Sequence, residues 1–134
     1  ADLFHVVDDP SGTPINKKIS AENVFNNIPS WLGLSQASQA ITADASSQVA
    51  DVTSAITEIN ATSATGAISL ADGTDGQVKT FINVSTSGTN NVVITPTNLR
   101  GGTTITLNAE GETVTCLFKN AKWNVIAGNG YVVA

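Results

Sequence analysis

Apolar and polar residues alternate with a period of two through Gln77-Val78-Lys79-Thr80-Phe81-Ile82-Asn83-Val84. They do so again through Thr103-Thr104-Ile105-Thr106-Leu107 and Glu112-Thr113-Val114-Thr115-Cys116-Leu117-Phe118-Lys119. A period of two over runs this short sends successive side chains to opposite faces of a strand and does not suit an amphipathic helix. Strands are expected near 67–70, 77–85, 91–96, 103–109, 112–119, 121–126 and 130–133. Turn residues stand between them, as in Asp72-Gly73-Thr74-Asp75-Gly76, Ser87-Gly88-Thr89-Asn90, Gly101-Gly102, Glu110-Gly111 and Asn129-Gly130. Strands so close in sequence predict antiparallel pairing, in a small sandwich or barrel-like unit over 67–134. Its expected core is Phe81, Ile82, Val92, Ile94, Ile105, Leu107, Val114, Phe118, Trp123, Val125 and Tyr131. Cys116 shares the strand face of Val114 and Phe118 and reads as a buried small hydrophobe.

Residues 1–34 have a different grammar. Leu3-Phe4-His5-Val6-Val7 predicts a short strand, stopped by Asp8-Asp9-Pro10-Ser11-Gly12-Thr13-Pro14, and Lys17-Lys18-Ile19 predicts its return. Ser20 is a good N-cap for a short helix over 21–28, which Pro29 ends. A helix of two turns does not stand alone. Val24, Phe25 and Ile28 on its face, with Phe4, Trp31 and Leu34 around it, exceed what so small a unit buries. Phe4, Phe25, Trp31 and Leu34 are therefore the candidate docking residues.

Between the two lies 35–66, rich in Ala, Ser, Thr and Gln, with Asp44, Asp51 and Glu58 as its only charges. Ala45, Val49, Val52, Ile56 and Ile59 follow one another at steps of four and three, the spacing of a heptad seam. This predicts a helical stalk packed between copies of the chain, with Val49, Val52, Ile56 and Ile59 on the seam. A flexible linker and further β-structure are the competing readings. The fold expected is thus mainly β: an N-terminal hairpin with a short helix (1–34), a stalk or linker (35–66), and a C-terminal antiparallel unit (67–134).

Composition removes several functions. The net charge of −5, with six basic residues scattered apart from the pair Lys17-Lys18, does not suit non-specific nucleic-acid binding. One cysteine excludes an intrachain disulfide, and no apolar run is long enough to span a bilayer. The opening Ala1-Asp2-Leu3-Phe4 reads as an end from which an initiator methionine has been removed, which predicts a whole small protein made in the cytoplasm.

Chemistry is sparse. His5, the only histidine, sits inside a strand pattern, and no G-x-S-x-G elbow accompanies it. Three copies of His5 meeting on an axis would be the one route to a metal through it. Asp72 and Asp75 in a Gly-rich turn suggest Ca²⁺, but ordinary turn chemistry accounts for them. Neither a dinucleotide fingerprint nor a P-loop is present. Trp123 and Tyr131 suggest either a sugar-stacking platform or core, and alternation with Val125 favours core. No catalytic residue, cofactor or metal is assigned, and an enzyme is not expected.

Two stretches carry a resemblance. Asp2 to Pro14, with its Asp9-Pro10-Ser11-Gly12-Thr13-Pro14 turn, followed by Lys17-Lys18-Ile19-Ser20 and Val24-Phe25, resembles a module near the start of fibre-like structural proteins of tailed bacteriophages. Asp72 to Gln77, Val93 to Pro96, Asn98 to Thr106, Gly111 to Phe118 and Trp123 to Val125 resemble a second pattern of such proteins. The resemblance implies a virion protein, made in the bacterial host and typically a homotrimer, with its N-terminal part on the particle and its β-unit outward. The shortness of the chain favours a capsid decoration (cement) protein or small head fibre, whose partners would be the major capsid protein or other virion subunits. The alternative is a carbohydrate-binding adhesion module of a tail fibre, with a host-surface glycan as partner.

Overall fold

The computed structural model describes residues 3–8, 15–20, 36–87 and 90–134. The chain divides into two compact units, Ala1–Leu34 and Ser35–Ala134. In the first, β1 (Leu3–Asp8) and β2 (Ile15–Ser20) pair antiparallel, with Phe4 opposite Ile19 and Asp8 opposite Ile15. The expected helix over 21–28 and the docking candidates Phe25, Trp31 and Leu34 lie outside the described residues.

The second unit is two five-stranded sheets with one core between them. Its strands are β3 (Ser38–Ala43), β4 (Gln48–Ala50), β5 (Ile56–Ala61), β6 (Thr65–Leu70), β7 (Val78–Asn83), β8 (Asn91–Pro96), β9 (Ile105–Leu107), β10 (Thr113–Lys119), β11 (Lys122–Asn129) and β12 (Val132–Val133). Sheet I has the order β11-β10-β7-β5-β3, and sheet II the order β12-β9-β8-β6-β4. From β3 to β8 the chain changes sheet at every strand. Each strand therefore lies parallel beside the one two places earlier: β3, β5 and β7 in sheet I, and β4, β6 and β8 in sheet II. This is a winding of three coils. Parallel neighbours need a long crossover, commonly a helix; here a strand of the opposite sheet serves. After β8 the winding ends. Strand β9 turns back on β8, β10 and β11 form a hairpin against β7, and β12 closes on β9, all antiparallel.

This corrects two expectations. Residues 36–66 are neither a helical stalk nor a linker: they form the first coil and most of the second. Of the three readings of that stretch, β-structure is the one observed. The helix is broken where it would have to continue. The Asp44 carboxylate accepts a hydrogen bond from Ser46 N at 2.8 Å, and Asp51 accepts from Ser54 N at 2.6 Å and from the Thr53 and Ser54 hydroxyls at 3.0 Å. Short polar side chains bonded to the backbone just ahead make turns in place of helix. The second correction is that the C-terminal unit is not wholly antiparallel. Strands β6, β7 and β8 follow one another through short connections yet alternate between sheets.

Burial follows parity. Thr57, Ile59 and Ala61 of β5 point inward, as do Gly66, Ile68 and Leu70 of β6, Lys79, Phe81 and Asn83 of β7, and Val114, Cys116 and Phe118 of β10. Small residues set how closely the sheets approach in the first coils: a Cβ on Gly66 would lie 2.9 Å from the Cβ atoms of both Ala43 and Ala61. At the other end Trp123 fills the space. It is fully buried, packs edge-on against Phe118 at 5.1 Å and donates from Nε1 to Ala71 O at 2.9 Å. Main-chain bonds from Trp123 N to Asn98 O and from Arg100 N to Trp123 O, each 2.9 Å, tie the connection after β8 to sheet I.

Candidate functional site

Buried polar side chains are where chemistry would be concealed in a sandwich, since each must be satisfied internally. Among the described residues four are present: Thr57, Lys79, Asn83 and Ser85. Asn83 and Ser85 join the coils. Asn83 Oδ1 accepts from Ser85 N at 3.0 Å and its Nδ2 donates to Leu107 O at 3.3 Å, while Ser85 Oγ accepts from Ala61 N at 2.8 Å. Every partner but the two side chains themselves is backbone, so the cluster staples β5, β7 and β9 together.

Lys79 is the most unusual residue of the core. Its Nζ donates to Ser54 O at 2.7 Å and lies 5.2 Å from the centre of the Phe81 ring. Burial disfavours the charged form and lowers its pKa from 10.5 to about 8, against the opposing pull of Asp51. For Asp51, burial alone would raise the pKa; the Ser54 and Thr53 hydrogen bonds and the field of Lys79 outweigh it and hold the carboxyl below its ordinary value. A lysine with a lowered pKa is a candidate nucleophile, but Lys79 has no exposed surface to offer a substrate. It instead ties the turn of the first coil to the middle of sheet I. Cys116 stands opposite Lys79 in the β7–β10 register; burial pushes its thiol from 9.0 up to about 12, far from a reactive thiolate.

The other candidates resolve in the same direction. Asp72 accepts from Asn98 Nδ2 at 2.8 Å, and Asp75 from Lys119 Nζ at 2.7 Å and Asn120 N at 3.0 Å. The Lys119 hydrogen bond is the main cause holding Asp75 below its ordinary pKa. The two carboxylates thus lock different turns and do not converge. Among the described residues no three His, Cys, Asp or Glu side chains gather as a metal site would require. His5 sits opposite Lys18 in the β1–β2 register. Trp123 is fully buried, so the sugar platform that would have used it is not formed; Tyr131 packs partly buried against the same core. Among the described residues no helix is long and apolar enough to cross a membrane.

The seam residues singled out for assembly are not brought together. Of the docking set, only Phe4 falls within the described strands, in β1. Of the seam set, Val49 is 66% exposed on the outside of sheet II, and Ile56 is half-buried on the outside of sheet I. Ile59 is in the core, and Val52 packs against that core from the turn at 51–54. The heptad spacing is real in the sequence, but it falls across two sheets and two faces. Lys79 went unnoticed in the sequence although parity marked it: if Phe81 faces inward, so do the residues two before and two after it, Lys79 and Asn83. No protein-family model matches this chain, and no curated protein matches it.

Proposed function

We propose that this chain is a structural protein of a tailed-bacteriophage virion, a homotrimeric capsid decoration protein or small fibre. Residues 1–34 dock on the particle through Phe4, Phe25, Trp31 and Leu34, and Ser35–Ala134 stands outward. The observation that carries the reading is the way the polar side chains of the second unit are spent. Lys79, Asn83, Ser85, Asp51, Asp72 and Asp75 are all engaged in holding the coils and turns in place. A wound, fully braced unit joined to a small N-terminal unit suits display, and the two stretches similar to phage structural proteins lie one in each unit. Decoration of an assembled lattice stabilises it because the protein binds the shell and not the loose subunits. Several copies held together strengthen each weak contact through effective concentration. The test is labelling: antibody raised against residues 35–134 decorates intact virions in electron micrographs if the reading holds. Virions that contain the protein yet remain unlabelled until disrupted would refute outward display.

A further inference from the structure

Among the described residues, the strands of sheet II carry no ionisable side chain on their outer face. Strands β4, β6, β8, β9 and β12 contain no Asp, Glu, Lys, Arg or His at all. With Ala50, Ile68, Leu70, Val92, Ile94, Ile105 and Leu107 buried on the inner face, the outer face falls into rows across the strands. One row is Val49, Ser69 and Thr95; the next is Ala67, Val93, Thr106 and Val132. Val49 and Val132, in the two edge strands, are 66% and 51% exposed. The charges of Ser35–Ala134 are elsewhere. Asp44, Asp51, Asp72, Asp75, Glu110, Glu112 and Arg100 lie outside the strands, and Glu58, Lys79, Lys119 and Lys122 belong to sheet I.

An open sheet usually meets water with a polar, charge-bearing face, and loss of charge is the compositional mark of an interface centre. The partner follows from the charge of the chain. At a symmetry axis a residue near the axis meets its own copy, so a charge there meets its like. For a chain of net charge −5, the face without charge is the one on which further copies approach unopposed. Sheet I does not qualify, because Glu58 stands in the middle of its outer row Ala40, Glu58, Ile82 and Thr113. We propose that the outer face of sheet II, centred on Val93, is the surface through which copies of this chain pack on one another.

Strand dimensions give this face about 300 Å² of plane, well under half of what each partner contributes to a standard stable interface. Association through it is therefore concentration-dependent in solution and firm where the copies are also held on a particle. The inference deepens the homotrimer part of the proposed function and rests on it for the number of copies. It is tested without particles, so its failure and that of virion docking are distinguishable.

The experiment compares the full chain with Val93→Glu and with Ile82→Glu, its counterpart on the outside of sheet I, by light scattering up to about 1 mM, where a contact of this size registers. Circular dichroism checks that each variant keeps its strands. The full chain and I82E should gain mass with concentration, and V93E should need at least about tenfold more protein to do so. A full chain that stays monomeric, or a V93E variant that associates as the full chain does, overturns the proposal. Should V93E not fold, Val132→Cys decides. Its alkylation by a maleimide should slow in concentrated samples and recover on dilution; the same rate at both concentrations overturns the proposal.

Discussion

Replacing Lys79 by Met removes a cation from inside the sandwich and shortens the unbranched side chain by only its terminal atom. The structure fixes the expected effect. Lys79 titrates at about 8 in the folded chain against 10.5 when solvated, a difference worth about 3 kcal/mol. Because the folded value is the lower one, the unfolded chain binds more protons between the two, and stability rises with pH across that window. Below about pH 8 the cost of holding the ammonium in the core is present in full. Methionine removes that cost but leaves Ser54 O without its donor, which costs about 1 kcal/mol. The Lys79→Met variant should thus be more stable than the parent by about 2 kcal/mol at pH 7, and the advantage should disappear as the pH approaches 10. Urea unfolding followed by circular dichroism at pH 7 and pH 9.5 reads both quantities. A Met variant less stable at pH 7, or a difference between the proteins that does not change with pH, would show that desolvation of Lys79 does not govern its contribution. The first result would mean that the Ser54 bond and the contact with the Phe81 ring outweigh desolvation.

Three further outcomes follow from the packing. Gly66→Ala places a Cβ 2.9 Å from those of Ala43 and Ala61 and should cost about 1–3 kcal/mol by overpacking; an unchanged urea midpoint would contradict it. Cys116, buried with its thiol pushed up to about 12, should not react with an aromatic disulfide at pH 8 until the chain is unfolded, and rapid stoichiometric reaction of the native protein would show that the core is open. Removing residues 1–34 should leave the strand signal of 35–134 intact. Removing 1–66 should abolish it, because β3, β4 and β5 go with the deleted segment; a folded 67–134 fragment would show that the first coils are dispensable.

Much of the second unit was legible because its strands are short, half-buried and bounded by Gly, Asn and Asp. Phe81, Val92, Ile94, Ile105, Leu107, Val114, Phe118 and Trp123 are all in the core. Ile82 is not, and the reason is elementary: it follows Phe81 in an extended strand, and only one of the two can face inward. The first coils were harder to see. Steps of three and four between Val49, Val52, Ile56 and Ile59 fit a helix seam, and small, weakly polar neighbours do not argue against one. The deciding signals were quieter: Asp44 and Asp51 placed to turn the chain, and β-branched Ile56, Thr57 and Ile59 between them and the next turn. The winding itself was not legible. Which strand pairs with which is a long-range matter, and the turn at 72–77 looks the same whether it joins neighbours in one sheet or passes between two. Sites read from composition fared according to whether their chemistry was local. Asp72 and Asp75 do turn work, as Asp-Gly pairs commonly do. The cation of Lys79, whose partners Ser54 and Asp51 come from the first coil, needed the fold to be seen.

In the proposed function the first 34 residues hold this protein on a virion. A direct test is co-sedimentation of the full chain, and of residues 35–134 alone, with capsids of the proposed parent phage assembled without the protein. Saturable binding of the full chain and none of residues 35–134 is the expected result. Binding of residues 35–134 as tight as that of the full chain would contradict the docking role of Phe4, Phe25, Trp31 and Leu34, and a full chain that binds neither capsids nor tails would contradict the virion assignment itself.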